Sequence, residues 1–170
     1  MDTSRSKALL LGVLLWGSYT ASAQHQQHQG DSAMHGSHHM LYNPTDSAMK
    51  WMPGPPFLPA GIKMSVLEGD PSKEGPFTVR LQMPANYTIP PHTHPTIEHV
   101  TVIEGSAYFG MGNTLNRGAA KQLKRGGYAV LPANMAHYAF SKSRAVVQVH
   151  GMGPFAITYI NPADDPRNKH

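Results

Sequence analysis

From Ile62 onward the chain alternates apolar and polar side chains in short runs. Phe77, Val79, Leu81 and Met83 fall on one side of an extended backbone, and Thr78, Arg80 and Gln82 on the other, a period of two. Similar strand-like runs cover 62–67, 97–103, 107–111, 128–131, 138–140, 145–150 and 155–160. Turn signals separate them: Gly69-Asp70-Pro71, Gly75-Pro76, Gly112-Asn113, Gly126-Gly127 and the Gly151–Pro154 segment. No stretch carries the period of an amphipathic helix. Many short strands without helical crossovers predict an all-β domain over 62–160, an antiparallel barrel or two-sheet sandwich.

The flanks read differently. Residues 1–23 have the form of a secretory signal peptide: Arg5 and Lys7 at the start, a short apolar run from Ala8 to Trp16, and Ala21-Ser22-Ala23 as a cleavage site. The run is too short to span the roughly 30 Å of hydrocarbon as a helix. The expectation is an exported protein, periplasmic or secreted, without a stable membrane anchor. Residues 24–40 are rich in Gln and His and nearly free of aliphatic side chains, so they predict a disordered linker. Residues 41–61 carry Trp51, Phe57 and several prolines and suit an extended arm packed across the domain. Residues 161–170 turn polar and predict a loose tail.

Composition narrows the chemistry. Charged residues are 14% of the 170 and the formal net charge is +4; no basic stripe interleaved with aromatics is present, which argues against a nucleic-acid partner. Cysteine is absent, so any metal must be held by nitrogen and oxygen.

The segment Pro90-Pro91-His92-Thr93-His94-Pro95-Thr96-Ile97-Glu98 concentrates candidate ligands. His92 and His94 leave the same face of a strand, and Glu98, at an even offset, can rejoin it. Two imidazoles and a carboxylate on one wall form a facial metal site, with the distant His137 the candidate for the next position. The two prolines restrict the backbone ahead of the ligands.

These residues carry a family pattern. His92-x-His94-x3-Glu98-x6-Gly105 resembles the first motif of the cupin superfamily, and Gly126-x5-Pro132-x-Asn134-x2-His137-x3-Ser141 resembles the second. Two positions depart: Asn134 stands where the family usually has glycine, and Ser141 where it usually has asparagine. Asn tolerates the left-handed backbone such a glycine serves, and Ser141 lies outside the expected ligand shell. The resemblance implies a single small β-barrel of the jelly-roll type, open at one end. It also implies one divalent transition metal ion bound by His92, His94, Glu98 and His137. Three imidazoles and a carboxylate suit Fe, Mn, Co, Ni, Cu or Zn.

The remaining polar and sulfur-bearing candidates divide by the strand face they occupy. His99 adjoins Glu98 and points away from the site. Gln148 and His150 share one face, either interior or exterior, with Val147 and Val149 on the other. Tyr108 and Tyr138 are candidates to hydrogen-bond a substrate, Glu104 a candidate second acid, and Met83, Met111 and Met135 fillers of core or pocket.

The resemblance implies a metal-dependent oxygenase of dioxygenase type, or a lyase, acting on a small oxygen-rich molecule. Glu98 would be both ligand and proton acceptor. The alternative is a non-catalytic metal- or ligand-binding module of the cell envelope. The expected partners are a small-molecule substrate or ligand and a second copy of the chain, as a homodimer that covers exposed sheet edges.

Overall fold

The computed structural model describes residues 49–168; the expected leader and His/Gln-rich linker lie outside the described residues. Among the described residues, eleven strands form the domain. They are β1 (Met52–Pro53), β2 (Lys63–Glu68), β3 (Gly75–Met83), β4 (Thr88–Thr93), β5 (Glu98–Glu104), β6 (Ser106–Met111), β7 (Lys121–Lys124), β8 (Tyr128–Leu131), β9 (His137–Phe140), β10 (Ala145–Gly153) and β11 (Thr158–Tyr159). They make two antiparallel sheets, ordered β1-β2-β3-β10-β5-β8 and β11-β4-β9-β6-β7. This is the all-β, antiparallel two-sheet architecture expected from the alternation, in the jelly-roll form that the resemblance implies. No helix among the described residues is long and apolar enough to cross a membrane.

The alternating positions decide which face is inside. Phe77, Val79 and Met83 of β3, Val100 and Val102 of β5, and Val147 and Val149 of β10 are all buried in the core, and Ile89, Ala107, Ala139 and Tyr159 meet them from the smaller sheet. Each of the Val, Ile, Phe and Met side chains contributes roughly 1.5–3 kcal/mol on full burial. The two readings of β10 are thereby resolved: Val147 and Val149 face in, so Gln148 and His150 face out. Gln148 accepts from Arg80 (3.3 Å). His150 is the register partner of His99 on β5 and stacks on it, with centroids 4.8 Å apart. His99 Nδ1 in turn lies 2.6 Å from the Tyr128 hydroxyl. His99 is thus an outer-face residue, as its parity with Glu98 predicts.

Three segments differ from the pattern reading. The run over 155–160 is a strand only at Thr158–Tyr159; ahead of it Phe155 and Ile157 line the cavity while Ala156 is exposed. β7 went unread because its sequence, Lys-Gln-Leu-Lys, shows one apolar residue and no alternation. The polar tail is not loose over its described part: Pro162–Asp164 and Pro166–Asn168 form short 3-10 turns. Arg167 fastens them by pairing with Asp165 (2.6 Å) and donating to the Ile157 carbonyl (3.3 Å).

Candidate metal centre

The register of two strands brings the distant histidine to the motif. β4 pairs with β9 at Ile89↔Ala139, loses register across Pro90-Pro91, and resumes with His92↔His137. Proline donates no ladder hydrogen bond, so the irregularity falls where two prolines sit. His94 follows the end of β4, and Glu98 opens β5 after the Pro95 turn. His92, His94, Glu98 and His137 are 3%, 5%, 8% and 2% exposed, so all four side chains converge out of water.

Each imidazole is oriented from behind. Nδ1 of His92 lies 2.6 Å from the Pro90 carbonyl, Nδ1 of His94 2.6 Å from that of Ala156, and Nδ1 of His137 2.9 Å from that of Met135. A carbonyl oxygen only accepts, so each Nδ1 carries the proton and each Nε2 keeps a lone pair. The three histidines present ligand atoms within 4.8 Å of one another. Glu98 Oε2 stands 3.5 Å from His94 Nε2 and 3.3 Å from His137 Nε2.

Electrostatics complete the picture. Burial, reinforced by the neighbouring imidazoles, pushes His92 down to about 3. Burial also lowers His94, against the pull of Glu98. Burial raises the Glu98 carboxyl, and the facing imidazoles, His137 first, pull it below the usual range only when they carry a proton on Nε2; in the Nδ1–H tautomers that pull is absent. Lone pairs and a carboxylate therefore face one another with no donor between them, and His137 Nε2 is buried without a hydrogen-bond partner. Such a set is costly to bury by itself. A divalent cation among these atoms removes the mismatch, so the residues present fit one, and the cluster could hold a transition metal.

The second motif supports the site through its backbone. Asn134 has φ 60°, the left-handed conformation anticipated for it, and its N–H donates to the His94 carbonyl (2.8 Å). Gly105 is also left-handed (φ 69°), and a Cβ there would lie 2.5 Å from the Arg144 carbonyl oxygen. Ser141 is fully buried away from the ligands, its hydroxyl donating to the Pro84 carbonyl (2.7 Å).

His92, His94 and Glu98 line a cavity of about 240 Å³, and His137 stands behind them on a small inner extension. Much of its wall was not legible beforehand. Phe57 and Leu58 of the Pro-rich arm cover one side, held by the Tyr159 hydroxyl on the Phe57 carbonyl (2.8 Å) and by the Tyr87 hydroxyl on that of Pro59. Phe155 and Ile157 close another, and Phe155 lies against the His94 ring. The only sequence signal for these was an aromatic residue beside prolines in each case.

Other candidates lie elsewhere. Tyr138 is buried, but its hydroxyl donates to the Asn116 carbonyl (2.6 Å), while Tyr108 stacks on Phe140 at 4.8 Å. Neither lines the cavity. Met111 and Met135 are about half exposed, and only Met83 fills core, beside a small inner extension behind the ligands. Glu104 is exposed and paired with Arg144, so it is no second acid of the site.

Comparison with known proteins identifies the family and the fold. Residues 39–156 match the family model described as a ChrR Cupin-like domain. The chain belongs to this cupin family. A germin-like protein (8-6) of Oryza sativa subsp. japonica is 36% identical over 80 residues, covering 42% of this cupin and 36% of that protein. The match thus spans little more than a third of that relative's length. Among solved structures, the polyketide cyclase RemF of Streptomyces resistomycificus has a TM-score of 0.57 at 16% identity, covering 75% of this chain and 90% of that one. A candidate acetylacetone dioxygenase of Methylibium petroleiphilum has a TM-score of 0.55 at 21% identity, covering 74% and 84%. At these identities the likeness is one of fold.

Proposed function

We propose that this cupin is an exported metalloenzyme of the dioxygenase or lyase type, acting on a small organic molecule held in the cavity. The observation that carries the reading is the convergence of three Nε2 lone pairs and the Glu98 carboxylate at the buried end of an otherwise apolar chamber. In this proposal His92, His94, Glu98 and His137 hold one divalent transition metal ion. When bound, the ion supplies Lewis-acid polarisation of substrate oxygens.

The chain's own residues do the rest. The Pro90, Ala156 and Met135 carbonyls fix the tautomers, so the ligands need no reorganisation. The apolar walls exclude water, which strengthens every polar contact inside. Glu98 Oε2 is the carboxylate oxygen positioned to accept a proton from a hydroxyl group seated at that end. Export rests on the leader-like residues 1–23, and the homodimer on β7 and β8 lying at sheet edges.

One observation favours a binding module as the second reading. Glu98 is the only carboxylate on the cavity wall among the described residues, so chemistry needing a separate acid–base pair has no second member.

Elemental analysis tests the proposal. The untagged protein, exported by its own leader, is compared with a variant lacking 24–40 and with His137→Ala. The expected result is near one equivalent of a transition metal that survives loss of the linker and falls in His137→Ala. Metal that disappears with the linker and ignores His137 would refute the site. A tightly held Zn with no oxygen uptake on diketones, enediols or flavonols would favour the binding module.

A further inference from the structure

The cavity wall carries polarity at one end only. Of its side chains, Ser72, His92, His94 and Glu98 alone are polar, and the Ser72 hydroxyl is engaged by Asp70 (2.7 Å). The remainder is hydrocarbon, with Phe57, Leu58, Phe77, Leu81, Phe155 and Ile157 on different sides. Among the described residues no lysine or arginine lines it, and Arg80 on the adjoining strand faces outward to Gln148.

We infer that the cavity takes a molecule with a compact apolar body and a single head of two neighbouring oxygens that carries at most one negative charge, and that it rejects short dianions such as oxalate. The inference rests on the metal-site reading above and narrows the expected substrate to one whose oxygens are confined to a single head.

Charge balance carries the first half. A divalent ion with the Glu98 carboxylate leaves one positive charge among neutral imidazoles. A head that has lost one proton neutralises it, whereas a dianion would leave a net negative charge in apolar surroundings with no cationic side chain to offset it. Polyols and sugar acids fail on the other half, because their hydroxyls would be buried against Phe and Leu without partners. Size sets the body: about 240 Å³ is the liquid volume of roughly eight waters, room for on the order of ten non-hydrogen atoms.

The test is calorimetric binding to the full chain loaded with Zn²⁺, using benzoylacetone, acetylacetone, acetophenone and oxalate. The first two share a chelating head and differ in apolar body, acetophenone keeps the ring with one oxygen, and oxalate is head alone with two charges. Each buried methylene is worth roughly fourfold in affinity, so benzoylacetone is expected to bind at least about 30-fold more tightly than acetylacetone. Acetophenone and oxalate should both bind more weakly than benzoylacetone. Phe57→Ala, checked for folding by circular dichroism, should narrow the benzoylacetone-to-acetylacetone ratio severalfold. Oxalate equal to or tighter than benzoylacetone, or a ratio near one, with a full equivalent of zinc retained, would overturn the inference and leave the metal site standing. Failure to retain zinc, with benzoylacetone and acetophenone binding alike, would overturn the metal site and this inference together.

Discussion

Phe155 lies nearly flat on His94, ring centroids 4.2 Å apart at 20°, and the next residue, Ala156, accepts the His94 Nδ1 proton at 2.6 Å. One short segment thus clamps a single imidazole by its face and by its edge. Phe155 also touches Phe77 at 5.1 Å, which ties the clamp to the core of the larger sheet.

Loss of that clamp should loosen the metal before it unfolds the domain. Phe155→Ala is expected to weaken metal affinity about tenfold, in the range seen when groups behind a ligand are removed. Phe155→Leu should recover stability but only part of the affinity, because it restores volume without a stacking face. Chelator competition against thermal unfolding of the same variants separates the two effects.

Glu98→Gln should move stability and metal affinity in opposite directions. The carboxylate faces the lone pairs of His94 and His137 at 3.5 and 3.3 Å. An amide can turn its NH₂ toward the unpartnered His137 Nε2. The metal-free variant should therefore be more stable than metal-free wild type by about 1 kcal/mol, several degrees in Tm. Its metal affinity should fall by about tenfold or more, since a carboxylate donor is lost. Equal Tm values for the two metal-free proteins would show that the buried mismatch has no energetic consequence.

Acid should destabilise the metal-free protein over a defined window. Burial pushes His92 down to about 3 and lowers His94, whereas in the unfolded chain each titrates near the ordinary 6.5. The unfolded state then binds more protons below about pH 6.5, so the contribution of these two residues is complete above that pH. It declines as pH falls toward 3. Urea titrations from pH 7.5 to 4 should show the midpoint falling below about pH 6.5. A bound divalent ion should shift that fall to lower pH, because protons must displace it.

The parts of this molecule that could be read in advance are those in which one residue type answers one local demand. Parity along a strand separated Glu98 from His99 and placed Phe77, Val79 and Met83 inside, since a strand offers only two faces. It could not say which face of β10 was inner, because Val147/Val149 and Gln148/His150 alternate with equal regularity; pairing with Val100 and Val79 decided that. Tyr108, Tyr138, Met111 and Met135 misled for a related reason: their side chains suit a pocket, and only tertiary position keeps them out. The cavity wall from Phe57 and Phe155 was least legible. Both lie in irregular, proline-flanked segments whose path is fixed by the tyrosine hydroxyls and backbone bonds that hold them, not by a repeating pattern.

Asn134 gives the sharpest check on the one departure from the family motif that reaches the site. Its backbone is left-handed, φ 60°, while its N–H holds the His94 carbonyl at 2.8 Å. The conformation costs an ordinary residue roughly 1–2 kcal/mol, Asn less, and glycine essentially nothing. Asn134→Gly should therefore leave stability within about 0.5 kcal/mol of wild type and preserve metal content. Asn134→Val, β-branched and strained at positive φ, should cost about 2 kcal/mol. It should also weaken metal binding, because relief of the strain moves the N–H away from the turn that carries His94. If Val and Gly behave alike in urea unfolding and in elemental analysis, the turn is held by its flanking contacts with His94 and Pro132, and the identity of residue 134 is immaterial to the site.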